Sequence, residues 1–117
     1  MRRETIISKG YYTYPQTSGL IAVRQYIVLL RNNEKQLLLR LTNERGEAVT
    51  GYTLRVLQYY AAGALVGTQT VEESGVSYKP KATFGMSREI PLSEDCVDFR
   101  VTVLSVACGS YVHTLKG

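Results

Sequence analysis

The chain has 117 residues, of which 44% are apolar and 21% charged, so it suits one globular domain and is too hydrophobic for a disordered one. Fourteen Lys/Arg against ten Asp/Glu give a net charge of +4, enough to steer an anionic partner but far below a polybasic tail. No apolar run approaches the ~20 residues of a membrane helix, and the Met1–Gly10 segment has the charges of a signal peptide without its apolar core. The chain as given therefore reads as cytoplasmic, or as a fragment of an envelope-associated protein.

Residues 1–19 are polar and broken by Gly10, Pro15 and Gly19, with Tyr11, Tyr12 and Tyr14 close together. They are expected to form an extended lead-in holding at most one edge strand. A single sandwich domain is expected over residues 20–117. From Leu20 to Arg31 the chain is dense in β-branched and aliphatic residues, and Asn32–Lys35 reads as a turn. From Gln36 to Asn43 it alternates, with Leu37, Leu39 and Leu41 on one face. Two apolar runs joined through an Asn pair predict a β-hairpin.

Asn43-Glu44-Arg45-Gly46 predicts a second turn. The next strand, Gly51–Tyr60, places Tyr52, Leu54 and Val56 on one face and Thr53, Arg55, Leu57 and Tyr59 on the other. A turn through Gly63 leads to a return strand over Leu65–Val71. Gly75, Pro80 and Gly85 mark Glu72–Met86 as a long connection around a short strand near Val76–Tyr78. Arg88–Leu92 reads as a short extended piece. Val97–Cys108 is the last long strand, with Val97, Phe99, Val101 and Val103 facing one way, and Gly109 is expected to bend the chain before Tyr111–Leu115. No segment carries a helix cap followed by apolar residues at helical spacing. About seven short strands with turn chemistry between them predict an all-β, antiparallel sandwich, with a closed barrel as the second choice.

Residues 39–67 hold a pattern of Leu39-Arg40-Leu41-Thr42-Asn43, Gly46, Val49, Tyr52-x-Leu54-x-Val56, Tyr59 and Gly63-Ala64-Leu65-Val66-Gly67. This resembles the immunoglobulin-like sandwich domains of bacterial envelope and secreted proteins, including FxLyD domains. Arg88–Leu92 followed by Val97–Val103 is similar to their last two strands. Tyr60 stands where the family's turn has Asp. The resemblance implies an immunoglobulin-like fold and a non-catalytic spacer or interaction module of a larger protein.

Few residues of the chain stand in a pattern that carries chemistry. Cys96 and Cys108 would lie about 40 Å apart along one extended strand, at ~3.3 Å per residue, so no disulfide is expected. His113 is the only histidine and shares no metal-ligand spacing with the cysteines; it is expected to face solvent or a neighbouring Tyr. A Cys108–His113 nucleophile pair lacks an orienting third group in the sequence. Adjacent carboxylates at Glu72-Glu73 point to opposite strand faces, and Glu94, Asp95 and Asp98 have no EF-hand spacing. No catalytic residue, cofactor or metal is expected.

One constellation remains. Arg40, Arg55, Tyr59 and Arg100 project from outer strand faces, and Arg and Tyr are the side chains most enriched at binding hot spots. They are the expected binding residues, with a solvated face as the bland alternative. The expected role is a non-enzymatic module that meets a protein partner, or its own copies, through edge strands such as Leu20–Leu30. The alternative is an anion-binding domain for nucleic acid or an envelope polymer. Nucleic acid is disfavoured, because the chain has neither an RNA-recognition signature nor a Lys/Arg-rich run.

Overall fold

The computed structural model describes residues 4–11, 21–86 and 89–114. They form nine strands and no helix: β1 (Glu4–Tyr11), β2 (Ile21–Arg31), β3 (Glu34–Asn43), β4 (Val49–Tyr59), β5 (Leu65–Tyr78), β6 (Thr83–Gly85), β7 (Ile90–Pro91), β8 (Asp98–Cys108) and β9 (Tyr111–Thr114). All pairings are antiparallel. One sheet runs β1-β2-β3, with β6 and β7 both on the far side of β3; the other runs β5-β4-β8-β9. The two pack face to face, so the all-β sandwich expected from alternation is the observed architecture. The strand count exceeds seven because β1 joins the sheet and the connection after β5 contributes two short pieces.

The β2–β3 hairpin is tighter than the sequence suggests. Arg31 pairs with Glu34, leaving only Asn32 and Asn33 in the loop, at φ 52° and 66°. Two consecutive left-handed residues make a type I′ turn, whose twist matches the flanking strands and which Asn tolerates better than other side chains. The β8–β9 hairpin is also a two-residue turn. Cys108 pairs with Tyr111, and Gly109 alone takes a positive φ, 63°, as a type II′ turn requires. The anticipated bend at Gly109 is therefore a tight reversal.

Alternation decides which side chains enter the core. Leu37, Leu39 and Leu41 of β3, Tyr52, Leu54 and Val56 of β4, and Phe99, Val101 and Val103 of β8 are all buried. Each fully buried aliphatic chain among them contributes about 1.5–3 kcal/mol relative to exposure. A bulge opposite Thr53–Leu54 then shifts the phase of β8 by one residue, so that Val106 and Cys108 also point inward. Val97 was expected to share the face of Phe99. It instead precedes the strand and is 64% exposed, because its N–H bonds the Tyr59 carbonyl at the end of a turn that buries Cys96. Both cysteines are free and buried.

The one edge strand allowed for in the lead-in is β1, which pairs with β2 from Glu4 to Tyr11, while residues 12–20 lie outside the described residues. Two further expectations change. β2 is an interior strand, so the described part of the Leu20–Leu30 run, from Ile21 on, supplies no edge. β5 runs on through Tyr78 as one strand, bent by a bulge where Gly75 adopts φ 68°. That bend brings Tyr78 onto Phe84 in a stacked contact, 3.7 Å between ring centroids, with Tyr52 tilted against the same ring.

Between the sheets the chain crosses three times among the described residues, at 44–48, 79–82 and 92–97. A buried amide side chain stands at each end of the sandwich to receive these crossings. Asn43, with no exposed surface, has its Nδ2 at 2.9, 3.1 and 3.2 Å from the carbonyls of Glu47, Tyr78 and Lys79, and its Oδ1 accepts the Arg45 N–H at 2.8 Å. Its own N–H donates to the Ala82 carbonyl. At the opposite end, buried Gln58 accepts the Ser93 N–H through Oε1 at 2.9 Å.

Two outcomes are expected from this arrangement. Asn43→Ala leaves several backbone groups of two crossings without their partner and should cost about 3 kcal/mol in urea unfolding, since each unsatisfied buried group costs roughly 1–3 kcal/mol. Alkaline pH should also loosen the fold. Burial and a hydrogen bond to Glu73 push the Tyr78 phenol up to about 12 from its usual 10.0, and burial raises Tyr52 as well. Below pH 10 the folded and unfolded chains both hold these protons; above it the unfolded chain releases them first. The urea midpoint should therefore fall as pH climbs from 10 to about 12, and Tyr78→Phe should flatten that fall.

Candidate functional site

The sheet faces divide the anticipated Arg/Tyr constellation. Arg55 and Tyr59 of β4 and Arg100 of β8 lie on the outer face of the β5-β4-β8-β9 sheet, with Arg55 opposite Thr102 and Thr70, and Arg100 opposite Leu57. The Arg100 guanidinium sits over the Tyr59 ring at 5.7 Å from its centroid, a cation–π contact. Arg40 belongs to β3 and faces outward from the other sheet, where it pairs with Gln25 beside a hollow of about 390 Å³ formed with Ile27, Leu38 and Met86. Arg40 therefore shares no surface with the other three, because β3 and β4 lie in different layers joined by the 44–48 crossing. The surviving group is Arg55, Tyr59 and Arg100 on a threonine-rich sheet surface that includes Thr53, Thr68, Thr70 and Thr102.

A second grouping is less visible in the sequence. At the Asn43 end of the sandwich, ligand atoms of Glu47, Cys108 and His113 lie within 4.8 Å of one another. The β8–β9 hairpin builds two of the three positions. Cys108 pairs with Tyr111, so His113, two residues further along β9, sits diagonally across on the same face. Thr50 of β4 holds that hairpin through its hydroxyl, which donates to the Ala107 carbonyl and accepts from the Gly109 N–H. The third member arrives through Asn43. Its bonds to Arg45 and Glu47 shape the 44–48 crossing so that both side chains fold back over Cys108.

The electrostatics there are mixed. Arg45 Nη2 donates to Glu47 Oε1 at 2.6 Å. Burial pushes the Cys108 thiol up, the Glu47 carboxylate adds to the rise, and the Arg45 guanidinium opposes it. His113 is half-buried rather than facing solvent, and its Nε2 is buried with no hydrogen-bond partner among the described residues. Glu47 is thus the third group that the sequence did not offer to Cys108 and His113. The available signal was Gly109-Ser110, which as a two-residue turn would have placed positions 108 and 113 on one face. Nothing local in the sequence points to Glu47, 61 residues away from Cys108.

The sheet edges differ in kind. β1 exposes Ile6, Ile7 and Tyr11 but carries a bulge between Ile6 and Ser8, which interrupts its open edge. β9 exposes Tyr111 and Val112 but is four residues long, and β6 and β7 are shorter still. β5 has 14 residues and, among the described residues, pairs only with β4. Its segment from Leu65 to Val71 has no charged side chain. No described helix is long and apolar enough to cross a membrane.

No protein-family model, curated protein or solved structure matches this chain.

A buried thiol of raised pKa should behave as a core residue. In metal-free folded protein Cys108 should react with iodoacetamide far more slowly at neutral pH than it does in denaturant, read by mass spectrometry of the labelled peptide. Rapid, stoichiometric labelling of folded protein at Cys108 would instead mark it as an activated nucleophile.

Proposed function

We propose that this chain is a non-catalytic interaction or structural module, an immunoglobulin-like sandwich belonging to a larger bacterial protein, that takes up a partner strand at β5. The partner is a protein segment or a second copy of this chain. One observation carries the reading: β5 is the long edge of the sandwich, and its first seven residues, Leu65–Val71, are uncharged, free of Pro and rich in β-formers. Proteins usually blunt such edges with charges, bulges or short length, as β1, β6, β7 and β9 illustrate here, and on β5 the run from Gly67 to Val71 carries none of these. An edge left long and uncharged is suited to strand addition, in which backbone hydrogen bonds supply affinity and alternate side chains supply selectivity. A bulge at Val66 on one side and Glu72 and Glu73 on the other confine the pairing zone to Gly67–Val71.

The alternative, an anion-binding face for nucleic acid or an envelope polymer, draws support from the Arg100–Tyr59 contact beside Arg55. It loses Arg40 to the opposite layer, which leaves two guanidiniums, one of them already engaged over a ring. Such a face predicts binding that weakens with added salt, in proportion to the few phosphates it could neutralise. Strand addition predicts little salt dependence.

Lysines at Thr68 and Thr70, both exposed, provide the test. The Thr68→Lys/Thr70→Lys variant should weaken self-association, followed by light scattering across a concentration series, or capture of a partner, by about tenfold or more. Its thermal midpoint should stay close to that of the parent, because neither side chain is buried. Association that ignores both lysines, or a measurable turnover by the purified chain, would remove the proposal.

A further inference from the structure

We infer that Glu47, Cys108 and His113 form a binding site for a divalent cation of the zinc class, with three protein ligands and a fourth position left to water or to a partner's side chain. The donor set is the first argument. A thiol, an imidazole and a carboxylate are the three side chains that bind Zn²⁺, and three of them around one point is the pattern of an open zinc site. They come from a crossing loop, the end of β8 and strand β9, and their ligand atoms already lie within 4.8 Å of one another.

The distance is close to what the metal needs. Bonds of about 2.0–2.3 Å in a tetrahedral arrangement put donor atoms roughly 3.5 Å apart, so closure requires movements of about 1 Å. The members that must move are those able to: Glu47 is half-exposed on a loop and His113 lies on a short edge strand. Cys108 stays fixed in the core.

The second argument is the unmet bonding of the imidazole. His113 Nε2 is buried without a hydrogen-bond partner among the described residues, a cost that a metal bond at that nitrogen would relieve. Arg45 must give way for the cation to bind. Its guanidinium stands on Glu47 and supplies positive charge where the cation would sit. It is 32% exposed and its Nε also lacks a partner, so turning it outward to solvent breaks its half-exposed ion pair with Glu47 and its contact with Cys108. On binding, the Cys108 thiol gives its proton to solvent and its sulfur bonds the cation, with no change of oxidation state.

A catalytic triad is the competing use of the same three residues, and access argues against it. Cys108 is 3% exposed, so a substrate carbonyl cannot reach its sulfur, whereas a cation that sheds its water needs room for a single atom beside the exposed Glu47.

The experiment uses the whole chain, stripped with chelator and kept reduced, titrated with Zn²⁺ against a chromophoric chelator and separately with Co²⁺. One equivalent should bind, and the Co²⁺ form should show a thiolate charge-transfer band with the visible bands of tetrahedral coordination. Glu47→Gln and His113→Gln, both away from the packed core, should each weaken binding by about tenfold or more. Cys108→Ser should abolish the charge-transfer band, Cys96→Ser should leave it intact, and Arg45→Ala should tighten binding severalfold. Absence of stoichiometric binding, or binding indifferent to both Glu47→Gln and His113→Gln, would overturn the site. So would a charge-transfer band that depends on Cys96.

Discussion

The sandwich depends on one buried side-chain amide. A two-layer fold must return its chain from one sheet to the other, and at each return the backbone leaves the hydrogen-bonded ladder. Asn43 receives two of these departures at once, the exit from β3 toward β4 and the entry from β5 toward β6. No apolar residue could substitute, because the groups to be satisfied are three carbonyls and one N–H, which a primary amide matches in kind. Gln58 does a smaller version of the same work at the other end, where the chain passes from β7 toward β8. Between these two amides the core is apolar apart from the Tyr52 hydroxyl, and alternation selects its members.

The same device places the candidate metal site. Because Asn43 Oδ1 accepts the Arg45 N–H and its Nδ2 reaches the Glu47 carbonyl, the crossing folds back over the end of β8. Arg45 and Glu47 are carried with it onto Cys108. The neighbouring β8–β9 hairpin, fixed by Gly109 and by the Thr50 hydroxyl, brings His113 to the same spot. Structural and chemical roles thus converge at one end of the molecule, while the proposed strand-pairing zone of β5 and the Arg55–Tyr59–Arg100 face lie on a sheet edge and an outer surface.

Much of this was legible in the chain itself. The period of two in Gln36–Asn43 and Gly51–Tyr60 correctly named the buried leucines of β3 and the Tyr52, Leu54 and Val56 face of β4, since pleating leaves no other outcome. Two details have physical causes. Val97 does not share the face of Phe99 because the alternation of β8 begins only at its first paired residue, and the bulge of β8 is invisible to a pattern of strictly alternating residues. The tight Asn32-Asn33 turn was present in the sequence, but its length is set by strand pairing on both sides.

What the sequence determined alone is the local character: strands rather than helices, their inward faces, the turn residues, and the absence of any contiguous catalytic motif. Those properties follow from side-chain alternation and backbone preference, which act over a few residues. Only the tertiary structure decided which strands share a layer, and with that the separation of Arg40 from Arg55, the position of β2 as an interior strand and β5 as an edge, and the meeting of Glu47 with Cys108 and His113. Such facts depend on the order of strands and on where the chain changes sheets. Alternation is identical for a strand in either layer, so no local pattern can encode them.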